Sequence, residues 1–172
     1  MRNLALSQCG ITGPLQGSIF QKMTELTTLW LDDNLIYGPL PNEIGELSNL
    51  RFLVLKDNIL TGTIPEIYFE NLSRLEYFEV FNNILTGSLP AEISKLSRLR
   101  YLFVSSNQFI GSLPQSFESL TNLELFYANE NQLSGSLPSV YKSLMNMRDL
   151  QLRGNQISGV LPPEWSTMIE LE

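Results

Sequence analysis

The side chains that most often carry out catalysis are nearly missing from this chain. It has no histidine and one cysteine, Cys9. Neither a Ser-His-Asp nor a Cys-His arrangement can be assembled, no zinc site of the usual Cys/His kind, and no intramolecular disulfide. No phosphate-binding P-loop or kinase motif occurs. Carboxylates remain. Asp57 and Glu79 are the residue types that cleave glycosides, but that chemistry needs a cleft, and the pattern below puts both on an open sheet. Asp32, Asp33 and Asp57 form an acidic corner near Trp30. Such a corner could receive a cation or a basic ligand group. Calcium takes roughly six or more oxygens from a tight loop, a spacing absent here, so a solvated acidic edge is expected, with no metal and no cofactor.

The chemistry left is recognition. Trp30, Phe52, Val54, Tyr77, Phe81, Tyr101, Phe103, Leu125 and Tyr127 recur at related places along the chain, with Glu79 among them. Their recurrence has a frame. The stretch LRYLFVSSNQFIGSLP, residues 99–114, sets it: Leu99, Leu102, Val104, Phe109 and Leu113 are its apolar slots, and Asn107, Gly111 and Pro114 its fixed points. The same skeleton starts at Met1, Leu26, Leu50, Leu75, Leu123 and Met147, and an eighth copy starts at Leu171. Asparagines fall at 34, 58, 83, 107, 131 and 155, a step of 24 with a single 25, and Cys9 stands where the first would be. A period of this size marks a stacked repeat array.

Each block carries an apolar–x–apolar triplet, which reads as a short strand with alternating faces. Asparagine and glycine mark the turn after it. The pieces that follow each proline, such as PAEISKLSRL, carry an apolar stripe and read as helical turns that begin at or just after it. One such unit cannot bury its leucines; stacked units share a core. Strands of neighbouring units lie about 4.8 Å apart. Asparagine carries two donors and an acceptor, so its column can satisfy turn backbone and tie each loop to the next.

With those residues in view, the chain resembles plant-type leucine-rich repeats, whose pattern LxxLxLxxNxLxGxIPxxxxxLxxL fits seven copies over residues 1–172. The resemblance implies an α/β, right-handed solenoid with a parallel concave β-sheet, about seven 24-residue repeats, a second sheet from the LTGxIP segments, and helical turns on the convex side. The terminal caps of such arrays are absent. The expectation is a single array, part of a longer solenoid or one whose ends pair with something, with Leu4, Leu6 and Ile11 at one end and Ile157, Leu161 and Trp165 at the other left without cover.

Strict alternation then sorts the face. Trp30, Val54, Glu79, Phe103 and Tyr127 share one outward column, and Phe52, Tyr77, Tyr101 and Leu125 the column before it. Phe81 and Ser105 follow on the same face. An exposed aromatic band usually marks a binding surface, although rings on adjacent strands also stabilise one another by stacking. Arg51, Glu76, Arg100, Glu124 and Arg148 alternate in sign, a ladder of exposed ion pairs worth about 0–1 kcal/mol each.

The composition bounds the partners. The 172 residues are 43% hydrophobic and 17% charged, with net charge −7; such an acidic chain repels phosphate backbones, so nucleic acid is not expected. The N-terminus has no long apolar run after Arg2, and no stretch is long enough to span a membrane. Asn71-Leu72-Ser73 is a glycosylation sequon. The resemblance implies a non-catalytic module of the cell surface or extracellular space, binding a peptide, protein or glycan, with further repeats or a co-receptor as additional partners. Two other settings stay open: a secreted inhibitor of cell-wall-degrading enzymes and an intracellular interaction scaffold.

Overall fold

A computed structural model describes residues 1–168 and residue 170. The eighth repeat expected from Leu171 lies outside the described residues. Each repeat contributes a three-residue strand: Asn3–Ala5, Thr28–Trp30, Phe52–Val54, Tyr77–Glu79, Tyr101–Phe103, Leu125–Tyr127 and Asp149–Gln151. These pair in sequence order into one parallel sheet. The register carries no slip: Asn3, Thr28, Phe52, Tyr77, Tyr101, Leu125 and Asp149 are successive partners. The middle residue of every strand points inward, where Leu29, Leu53, Phe78, Leu102 and Phe126 are fully buried. A second parallel sheet runs along the flank, from Thr12–Pro14 through Ile84–Ser88 to Gln156–Ile157, again in unbroken order. The expected two-sheet leucine-rich solenoid is therefore the observed architecture.

The convex side carries the expected helical turns and specifies their kind. The segments after the prolines are mostly 3-10 turns, such as Asn42–Glu46, Ala91–Lys95 and Gln115–Ser119. Only the repeat that starts at Leu50, which is 25 residues long, makes an α-helical turn, Ile67–Asn71, among the described residues. Pro41, Pro90, Pro114 and Pro138 stand before these turns, with extended ψ between 119° and 139°, rather than at the first helical position. Pro163 alone opens the turn it belongs to. The proline carbonyls close the turns, as Pro90 does by accepting from the Ile93 N–H at 3.2 Å.

Some of those carbonyls accept a second bond from the next repeat. The hydroxyls of Tyr68 and Tyr141 donate to Pro41 and Pro114, and the Trp165 indole N–H donates to Pro138, at 2.8, 3.1 and 3.0 Å. Trp165 is buried and lies parallel to Tyr141, ring centres 6.3 Å apart. This contradicts the expectation that Trp165 lacks cover; its ring packs back onto the preceding repeat. Leu161 is exposed as expected, and Leu4, Ile11 and Ile157 are half-buried.

The asparagine column holds the loops. Asn107 Oδ1 accepts from the Leu85 N–H at 2.9 Å, and its Nδ2 donates to the carbonyls of Val80, Val104 and Ser105 at 3.0 to 3.3 Å. Asn34, Asn58, Asn83, Asn131 and Asn155 repeat this pattern across each boundary. Cys9 has only a 3.4 Å contact from its thiol to the Ser7 carbonyl, and its own N–H is bound by Asn34.

Asn107→Ala removes the acceptor of the Leu85 N–H, while the carbonyls of Val80, Val104 and Ser105 each lose one donor and keep another, from Asn83, Asn131 and the Asn82 N–H. An unsatisfied buried polar group costs about 1–3 kcal/mol, so the expected loss is about 1–3 kcal/mol, read as a lower urea midpoint. Gln108→Ala, next to it and exposed, should stay within about 0.5 kcal/mol. Equal effects would contradict the role of the column.

Candidate functional site

Three rows of side chains run across the concave sheet. One row holds Thr28, Phe52, Tyr77, Tyr101 and Leu125; the next holds Trp30, Val54, Glu79, Phe103 and Tyr127. Asp32, Lys56, Phe81, Ser105 and Asn129 lie two residues further on in each repeat. The structure thus brings all ten predicted concave residues onto one face.

It does not leave them as an open band. Val54, Glu79 and Phe103 are only 8%, 6% and 9% exposed, whereas Trp30 is 43% exposed. Rings on adjacent strands are close enough to cover each other. Tyr77 packs on Tyr101 and Phe103 with ring centres 5.6 and 5.4 Å apart, and Phe103 on Tyr127 at 4.8 Å. The cross-strand stacking that the sequence allowed therefore dominates the middle of the band, and such pairs add about 0.5–1.5 kcal/mol beyond area burial.

Open space lies on either side of this ring cluster, where a row contains a small side chain. Val54 stands between Trp30 and Glu79, and the depression over it has a volume of about 470 Å³, lined by Ser7, Trp30, Asp32, Phe52, Lys56, Tyr77 and Glu79 as well. Ser105 makes the second, also about 470 Å³, bounded by Phe81, Phe103, Tyr127 and Gln151. Tyr77 and Glu79 border both.

Glu79 is a buried carboxylate with thin support. Oε2 accepts from the Tyr77 hydroxyl at 3.2 Å, and Oε1 lies 3.9 Å from Lys56 Nζ. Burial pushes its carboxyl above the ordinary range, opposed by Lys56 and the Tyr77 hydrogen bond, and reinforced by Asp32 and Asp57. Burial and the same carboxylate push the Tyr77 phenol up, and a 2.7 Å hydrogen bond to Asp149 raises Tyr127.

The three carboxylates of the acidic corner have different surroundings. Asp32 borders the first depression, its Oδ1 accepting from Ser7 Oγ at 2.6 Å. Asp33 and Asp57 have φ of 56° and 53°, in line with Gln8, Asn82, Ser106, Glu130 and Gly154. That left-handed turn position favours Asp, Asn and Gly, so their identity answers a backbone demand. The charge ladder is also partial. Arg51 pairs with Glu76 through two 2.9 Å hydrogen bonds, holding that carboxyl below its usual range. Glu124 is shared by Arg100 and Arg148 at 2.6 and 3.5 Å; Glu76 and Arg100 form no ion pair among the described residues.

One surface escaped the concave-face reading. Leu35, Ile59 and Ile84, each following a column asparagine, are exposed on the flanking sheet, stepped by two residues from strand to strand so that Tyr37 lies opposite Ile59 and Thr61 opposite Ile84; Ile110 is exposed further along the same sheet. The signal was in the repeat position after asparagine, apolar in three successive repeats and glutamine in the next three.

Known proteins share this geometry. The Leucine Rich Repeat family model matches residues 25–47, 98–120 and 146–168. The LRR ectodomain of the plant membrane receptor kinase GASSHO1/SCHENGEN3 from Arabidopsis thaliana, in complex with CASPARIAN STRIP INTEGRITY FACTOR 2, superposes with a TM-score of 0.96 at 32% identity over 99% of this chain. The chain carries leucine-rich repeats in the arrangement of plant LRR receptor ectodomains. This array is also similar to the Arabidopsis receptor kinase HAESA, solved with the peptide hormone IDA and the co-receptor SERK1, at 30% identity, a TM-score of 0.89 and 93% coverage of the array. A probable LRR receptor-like serine/threonine-protein kinase of Arabidopsis thaliana is 40% identical over 62 residues, 36% of the array. The array spans only 20% and 26% of those two receptor chains and 6% of the kinase. No helix among its described residues is long and apolar enough to cross a membrane.

The raised Glu79 carboxyl carries a pH signature. A folded-state value above the unfolded one contributes stability that is present below about pH 4.5 and lost as pH rises through the folded value. Glu79→Gln should therefore match or exceed the parent Tm at pH 7, and any advantage should shrink when both are measured at pH 4. A variant much less stable at pH 7 than at pH 4, relative to the parent, would contradict this.

Proposed function

We propose that this array is a non-catalytic recognition module of a cell-surface receptor-like protein, and that it takes an extended peptide along the concave sheet. The observation that carries the reading is the arrangement of Val54 and Ser105: two aromatic-walled depressions open at either side of a rigid ring cluster, all on strands held in one register. A peptide backbone lying across the strands would place side chains in both. The receptors similar to this array, solved with CASPARIAN STRIP INTEGRITY FACTOR 2 and with the peptide hormone IDA, support the same ligand class.

The ligand-contacting residues of this proposal are Trp30, Phe52, Val54, Tyr77, Glu79, Phe81, Tyr101, Phe103, Leu125 and Tyr127, with Asp32 at the rim. The exposed apolar residues Leu35, Tyr37, Ile59 and Ile84 of the flanking sheet support a second contact, with a co-receptor ectodomain covering the flank, as HAESA has SERK1. An extracellular setting fits Asn71, which is exposed at the end of the convex helical turn and open to a glycan.

Panning a phage library of random dodecapeptides on the immobilised chain should enrich binders. Trp30→Ala should weaken synthetic versions by tenfold or more, about 1.4 kcal/mol, at unchanged Tm. Ile110→Ser, on the flank, should leave them unaffected. Failure to enrich any peptide, together with inhibition of a polygalacturonase by the chain, would replace this reading with the inhibitor one.

A further inference from the structure

We propose that the depression between Trp30 and Glu79 is a subsite for one cationic side chain, arginine or lysine, of the bound peptide. The inference rests on the reading of the concave sheet as the peptide surface and adds what that surface selects.

The walls supply both attractions that a cation seeks. Trp30 and Glu79 occupy one row with Val54 between them, so their backbones are two strands, roughly 10 Å, apart. A guanidinium or ammonium entering over Val54 meets an indole on one side and a carboxylate on the other. Indole is the strongest of the aromatic cation acceptors. The Trp30 ring is 43% exposed and makes no ring pair or cation–π contact among the described residues. Other rings of this face already take cations: Arg51 lies over Phe52, Lys56 over Phe81 and Arg100 over Tyr101, at 5.4, 5.2 and 5.2 Å.

The charge count at the depression has the matching sign. Two carboxylates, Asp32 and Glu79, border it against one ammonium, Lys56. That ammonium stands 3.9 Å from Glu79, beyond hydrogen-bond length. An ionised carboxylate offers about four acceptor positions; Glu79 uses one, for the Tyr77 hydroxyl, although it is only 6% exposed. Asp32 spends one oxygen on Ser7 and enters no ion pair among the described residues. Burial that disfavours the charged Glu79 is what a ligand cation would relieve. The second depression has Glu79 but no Asp32 and no free indole, so the preference belongs to the first.

The experiment uses the peptides enriched by panning the random dodecapeptide library on the parent chain. Binders that lose at least tenfold with Trp30→Ala should share an arginine or lysine. Replacing that residue with neutral citrulline or norleucine should cost tenfold or more, with weaker binding at raised NaCl. Glu79→Gln and Asp32→Asn should each erase most of that discrimination, read as the ratio of the two peptides' affinities for the same variant; two variants guard against one that folds poorly. Binders sensitive to Trp30→Ala but neutral or acidic in sequence would overturn the cationic subsite and leave the peptide surface standing. Binders insensitive to Trp30→Ala would overturn both.

Discussion

Everything in this structure depends on satisfying backbone groups in the turns between the two sheets. The strands bind each other, but the chain leaving each strand must bend inside the stack, away from water. The amide of one asparagine per repeat supplies the acceptor and the donors that the bend lacks, and it reaches across to the previous repeat to do so. Aspartate would lose the donors, and leucine would lose everything. The residue before each asparagine completes the bend in a left-handed conformation. Once the bend is fixed, the register of both sheets follows.

Register is what turns sequence variation into a surface. Because Trp30, Val54, Glu79, Phe103 and Tyr127 sit side by side, the outline of the concave face is a profile of side-chain size along one row. Large neighbours lock together and leave little to grip, as Tyr77, Phe103 and Tyr127 do. A small residue between large ones opens a depression. Under the proposed peptide reading, recognition on such a face depends as much on Val54 and Ser105 as on the aromatic residues around them.

The fold was almost wholly legible in the sequence, because period fixes position: the inward leucines, the asparagine column and the concave rows could be written down from spacing alone. What spacing does not contain is the third dimension between neighbours. The band of rings read as exposed, yet Phe103 is covered by Tyr77 and Tyr127, an outcome set by side-chain reach across about 4.8 Å. Trp165 read as uncovered, yet it stacks on Tyr141 and bonds the Pro138 carbonyl. Asp33 and Asp57 read as part of a charged site with Asp32, when the positive φ of their turns explains them. The exposed Leu35, Ile59 and Ile84 were missed because only the outward positions of the concave strands were read as a surface.

Amide hydrogen exchange tests the central claim most directly. The N–H groups of Leu85 and Phe109 lie just beyond the turns and bond to the Asn107 and Asn131 side chains at 2.9 and 3.0 Å. They should exchange as slowly as the Leu102 amide in the middle of its strand. Exchange of Leu85 and Phe109 at the rate of exposed loop amides, while Leu102 stays protected, would show that the asparagine column does not hold the stack together.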